Sequence, residues 1–151
     1  MRLTFDSNIL VYAIDQGAGI KKDLATTLLA QAVRGDCVLT LQSLAEFYAV
    51  TVRKGKLPAE IAADFVQEWQ GTFPVVAATR ETLDAAIRGA REHRLSFWDA
   101  MLWATARLHG CGLLLSEDLQ DGRHIGGVAI ANPFLPHNDV VIAHALAMSS
   151  P

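Results

Sequence analysis

Three consecutive leucines, Leu113-Leu114-Leu115, lie between a helical segment and a polar loop. A strand with no polar face has to be covered on both sides. Arg2 to Phe5 reads as a short buried strand ending at Asp6, Cys37 to Leu41 as another, and Phe73 to Ala78 and Val128 to Ala131 as two more. The segments between them carry apolar residues at three- and four-residue spacing, the signature of amphipathic helices. One follows Asp6; others run over Lys21 to Val33, Ser43 to Arg53, from Pro58 through Ile61, Phe65 and Trp69, over Arg80 to Arg94, and from Ser96 to His109. Strands separated by pairs of helices give an α/β fold, a central, mostly parallel sheet with helices on both faces. Pro136 to Pro151 stands apart as a tail, with a short helix around Val140 to Leu146 expected outside the sheet.

Length and composition agree with this reading. A chain of 151 residues that is 51% hydrophobic and 19% charged is too apolar for disorder, and can form one domain without disulfide or metal staples. Leu28, Phe65, Ile87 and Leu114 are expected in the core, as are Trp69, Trp98 and Trp103. No run approaches the length of a membrane span and no signal-peptide core follows Met1, so a soluble, cytoplasmic protein is expected. Cys37 and Cys111 have no Cys-x-x-Cys spacing, which argues against a zinc ribbon and for reduced core thiols. The net charge of −3 provides no global attraction for a polyanion, so a polyanionic substrate would need a local patch or a cation.

Four acids sit in unusually apolar company: Asp6, Glu46, Asp99 and Asp118. Each has an ordinary explanation. Asp6 can cap the next helix, Glu46 and Asp99 stand third in the capping boxes Ser43-x-x-Glu46 and Ser96-x-x-Asp99, and Asp118 can make an Asx turn. In a parallel sheet, however, strand ends share one edge, and all four acids fall at strand ends or at the starts of helices leaving that edge. Two carboxylates about 4 Å apart repel by roughly 4 kcal/mol at an effective dielectric near 20. No basic residue neighbours them in sequence, and a divalent cation is the simplest partner. Oxygen ligands without Cys or His at ligand spacing favour Mg²⁺ or Mn²⁺. Such an ion at such an edge acts chiefly on phosphates, which points to phosphoester hydrolysis.

The segments Phe5-Asp6-Ser7-Asn8-Ile9-Leu10-Val11-Tyr12, Ser43-Leu44-Ala45-Glu46-Phe47, Ser96-Phe97-Trp98-Asp99-Ala100 and Leu115-Ser116-Glu117-Asp118-Leu119-Gln120-Asp121-Gly122 resemble PIN-domain proteins, specifically the VapC-type toxins of bacterial toxin–antitoxin pairs. The resemblance spans residues 1–135, a PIN-like nuclease domain, and leaves 136–151 as a C-terminal tail. It implies an endoribonuclease dependent on Mg²⁺ or Mn²⁺, with Asp6, Glu46, Asp99 and Asp118 as catalytic metal ligands. It also implies accessory roles for Asn8 as an orienting amide, Ser116 as a hydroxyl beside the last acid, and Asp121 as an outer metal contact. RNA is the implied substrate, with a cognate VapB-like antitoxin and a second copy of the chain as partners.

Arg88, Arg91 and Arg94, with Lys54, Lys56 and Arg80, can contact RNA phosphates or form an ordinary solvated face. The five histidines show no ligand spacing, and Gly126-Gly127 lacks a phosphate-loop context. Two other functions fit less well. A haloacid dehalogenase-type phosphatase wants a second Asp where Asn8 stands, and a non-catalytic PIN-fold interaction module has no need of four acids.

Overall fold

The computed structural model describes residues 1–147. Its strands are β1 (Leu3–Phe5), β2 (Leu39–Thr40), β3 (Val75–Val76), β4 (Leu113–Leu115), β5 (His124–Ile125) and β6 (Val128–Ala131). The α-helices among the described residues are α1 (Ser7–Ile14), α2 (Ile20–Ala32), α3 (Leu41–Arg53), α4 (Ala59–Thr72), α5 (Arg80–His93), α6 (Phe97–Leu108) and α7 (Asp139–Ala147). The expected α/β architecture is present: four strands run in the order β1-β4-β6-β5, parallel except for β5, and β2 pairs with β3 in parallel. The two pieces meet at β1, where the Leu3 amide donates to Asp36 O and Leu3 O accepts from the Val38 amide.

The leucine triplet explains the layers. Side chains alternate across a strand, so Leu113 and Leu115 join one apolar cluster with Ile9, Leu10, Leu28 and Phe47, while Leu114 joins Leu102, Trp103 and Ile130 on the other face. All three leucines are fully buried. The polar loop expected after them contains β5, folded back on β6 by Gly126-Gly127, whose φ values of 55° and 84° suit a two-residue hairpin turn.

Several expectations change. Trp98 is 62% exposed and does not join the core, unlike Trp69 and Trp103. On α5 the buried face is Thr82, Ala85, Ala86 and Gly89, leaving Leu83 and Ile87 largely in solvent. The reason is close packing: a Cβ on Gly89 would stand 2.4 Å from Trp103 Cζ3, so α6 admits only small residues there. Ile87 therefore leaves the list of core positions. The tail forms α7 and buries Ile142 and Ala145 against the first cluster. The last residues assigned to the tail, 148–151, lie outside the described residues.

Candidate metal-dependent hydrolytic site

Strand register builds the rim. Phe5 pairs with Leu115, so the next residues, Asp6 and Ser116, emerge side by side at the carboxyl edge. The Asp6 amide donates to Leu115 O at 2.8 Å, and Ser116 Oγ donates to Asp6 Oδ2 at 2.7 Å. Asp6 caps α1, its Oδ1 accepting from the Ser7 amide at 2.7 Å. Only 5% of it is exposed. Burial raises its pKa to about 6, against the lowering effect of the Ser116 and Ser7 hydrogen bonds and with the charges of Glu46 and Asp118 adding to the rise.

Glu46 is not in a capping box. Thr40 caps α3, accepting from the Ser43 amide at 3.0 Å, and Ser43 Oγ donates instead to Phe5 O at 2.8 Å. The helix thus starts earlier than the pattern suggests, and Glu46 falls in its second turn with its carboxylate directed elsewhere. Its Oε2 accepts from Ser7 Oγ at 3.0 Å and its Oε1 from Gln42 Nε2 at 2.9 Å. Gln42 is one helical turn before Glu46 and also donates to Trp98 O at 3.0 Å, tying the first turn of α6 to the rim. Sequence reasoning missed Gln42, although the four-residue spacing to Glu46 was there to be read.

Asp118 is exposed at the loop after β4, and its amide and that of Leu119 donate to Ser116 Oγ at 3.1 and 3.2 Å. One hydroxyl therefore connects Asp6 with the turn that presents Asp118. Asp99 enters from the first turn of α6, where its amide donates to the Ser96 cap at 3.3 Å. Asn8 has both side-chain amide atoms buried without a partner, a costly state for a polar group. Asp121 is engaged by the Asn132 amide, His137 and Asn138.

Asp6, Glu46 and Asp118 are thus brought together through Ser7 and Ser116, with Asp99 approaching through the α6 turn. Among the described residues no three acids, imidazoles or thiols gather closely enough to hold an ion by themselves. The donors are all oxygens, and the like charges that raise the Asp6 pKa are the ones a cation would neutralise. Lys21 pairs with Glu117 beside Asp118, and among the described residues no ion pair reaches any of the four acids.

A sequence model of the PIN domain matches residues 3–121. No curated protein matches the chain. Among solved structures, a toxin–antitoxin complex from Klebsiella pneumoniae aligns with a TM-score of 0.64 at 22% identity, over 87% of this chain and 98% of that one. VapC20 of Mycobacterium tuberculosis, a sarcin-ricin-loop-cleaving toxin, aligns at 0.64 and 19% identity, over 77% and 91%. VapBC2 of Rickettsia felis, bound to a promoter DNA fragment, aligns at 0.65 and 13% identity, over 87% and 98%. Among the described residues no helix is long and apolar enough to cross a membrane.

Proposed function

The chain belongs to the PIN-domain family, and from that premise we propose that it is a divalent-metal-dependent endoribonuclease, the toxin of a toxin–antitoxin pair. The observation that carries the reading is the state of Asp6. It is a buried carboxylate near those of Glu46 and Asp118, shares the Ser7 hydroxyl with Glu46 and accepts from Ser116 Oγ, and among the described residues it forms no ion pair with Lys or Arg. A structural carboxylate that deep is normally neutralised by a cationic side chain. We assign that role here to a cation from solution.

Asp6, Glu46, Asp99 and Asp118 are the residues we assign to holding Mg²⁺ or Mn²⁺, with Asn8 orienting one of them or the substrate. When bound, a divalent ion supplies a lowered pKa for water and charge stabilisation at a scissile phosphate. Ser116 fixes Asp6, while Ser7 and Gln42 fix the two oxygens of Glu46. Those contacts leave the carboxylates of Asp99 and Asp118 freer than those of Asp6 and Glu46, and we assign Asp118 to orienting water. A phosphatase of the haloacid dehalogenase type is disfavoured by Asn8, which cannot act as the second acid.

The partners follow from the surface and the relatives. Solved relatives include toxin–antitoxin complexes, and we assign an antitoxin to this chain on that ground. Beside Glu46 opens an apolar groove of about 630 Å³ lined by Leu41, Ala45, Val76, Trp98 and Met101. Exposed Leu41, Tyr48, Phe97 and Trp98 extend the apolar character around it, and we assign this face to a second copy of the chain.

The direct test incubates purified protein with structured RNA, with Mg²⁺ or with EDTA, using p-nitrophenyl phosphate as the control substrate. Internal RNA cleavage that needs the metal, with no release of p-nitrophenol, is the expected result. Hydrolysis of the nitrophenyl ester alone would replace the nuclease with a phosphatase.

A further inference from the structure

The stretch after β4 carries three acids in different situations. Asp118 is exposed. Glu117 is held by the Lys21 ammonium. Asp121 is held by the chain that leaves β6: its Oδ1 accepts from the Asn132 amide at 2.8 Å and from Asn138 Nδ2 at 2.7 Å, and its Oδ2 meets His137 Nε2 at 2.7 Å. Asn138 is buried, and its Nδ2 also donates to Asn132 O at 2.9 Å.

These contacts close on themselves. Asn132 Oδ1 accepts from the Phe134 amide at 2.9 Å, and the Phe134 ring packs edge-on against Tyr12 with centroids 5.2 Å apart. The Lys21 ammonium lies 5.1 Å from the Tyr12 ring centroid and 5.4 Å from that of Phe134. Glu117, Lys21, Phe134, Asn132 and Asp121 thus make a circuit around the turn that presents Asp118. Three donors occupy the two oxygens of Asp121, which leaves it poorly placed to serve an ion.

We propose that Asn132, Phe134, His137 and Asn138 form a clasp that sets the position of Asp118, and that Asp121 and Lys21 are positioning residues of the site. The assignment of catalysis rests on the nuclease reading above, but the clasp itself can be tested without it. If the turn drifts, Ser116 loses the amides of Asp118 and Leu119, and with them the orientation it gives Asp6. Misplacement of a reacting group by about 1 Å can cost on the order of 100-fold in rate.

The experiment compares wild type, His137→Ala/Asn138→Ala, His137→Gln, Asp121→Asn and the exposed-tail control Val140→Ser. It measures kcat and KM on RNA and, by NMR, amide hydrogen exchange at Asp118 and Leu119. The double variant should lose about 10- to 100-fold in kcat with KM within about twofold, and exchange at Asp118 and Leu119 should accelerate while Leu114 stays protected. His137→Gln keeps a donor for Asp121 and should retain wild-type values, as should Val140→Ser. Wild-type exchange at Asp118 and Leu119 in the double variant overturns the clasp, and accelerated exchange with unchanged kcat overturns its role in the site. An inactive Asp121→Asn beside a fully active double variant would make Asp121 a ligand and also overturn the proposal. If the wild type cuts no RNA, the nuclease reading falls and the exchange result alone decides. If the double variant fails to fold, His137→Ala, at an exposed residue, carries the same exchange readout with the same two outcomes.

Discussion

Asp6 occupies a position where two demands conflict: capping α1 favours its charge and burial opposes it. Burial prevails and its pKa stands near 6 in the absence of a cation, against an ordinary value of 3.8. Between those values the folded chain holds a proton that the unfolded chain has released. This carboxyl therefore makes stability fall as pH rises from about 4 to about 6, and the loss persists above that range. A shift of about two units corresponds to roughly 3 kcal/mol. Urea midpoints taken in EDTA should show wild type losing stability relative to Asp6→Asn over that window, since Asn still caps the helix. Parallel pH profiles for the two proteins would contradict the assignment. Asp99 differs, because Ser96 caps α6 through the Asp99 backbone amide and is indifferent to the carboxylate. Asp99→Asn should therefore melt within about 2 °C of wild type, as surface changes away from special contacts do, and show no metal-dependent cleavage. Cleavage at the wild-type rate would return Asp99 to a purely local role.

At the level of elements, α5 and α6 show how packing overrules pattern. The spacing of Leu83 and Ile87 marks an apolar face, but the face that is buried is built of small residues because the Trp103 ring presses against Gly89. Gly89→Ala adds helix propensity worth up to about 1 kcal/mol, yet its methyl would overlap the ring and cost about 1–3 kcal/mol. Trp103 has little room to retreat, since its Nε1 donates to Ile125 O at 3.0 Å. The variant should melt lower than wild type, and an unchanged or higher melting temperature would show that the ring can move. The same contrast marks what was legible beforehand. Leu113-Leu114-Leu115 announced a strand covered on both faces, and the acids after β1 and β4 were placed correctly because strand direction alone locates them. The sequence places the α3 cap at Ser43 because Ser is a better cap than Thr, and only the contact of Ser43 Oγ with Phe5 O, which takes that hydroxyl away, leaves the cap to Thr40. Lys21 and the residues around Asp121 are not legible in the sequence because their partners are distant along the chain, where periodicity carries no information, whereas Gln42 stands one helical turn from Glu46 and its spacing was readable.

Across the whole molecule, the sheet edge and an apolar face adjoin each other. Trp98, read from its neighbours as core, is the most exposed tryptophan and borders the groove beside Glu46. A second copy on this face would set two rims close together. Light scattering should give twice the 16.4 kDa chain mass for wild type and a smaller mass for Trp98→Glu; a monomeric wild type would remove the second copy from the account. The central claim concerns the rim itself, that its carboxylates are gathered for a cation and against the interest of the empty fold. Neutralising one of them should relieve repulsion, as at other functional sites that cost stability, and a ligand that binds only the folded state should stabilise it by mass action. The decisive measurement is a set of thermal melts at neutral pH for wild type and Asp6→Asn, each in EDTA and in Mg²⁺. The account predicts that Asp6→Asn melts at or above wild type in EDTA, and that Mg²⁺ raises the wild type more than the variant. An Asp6→Asn protein that melts far below wild type in EDTA, with no difference in response to Mg²⁺, would make Asp6 a structural cap and contradict the metal site.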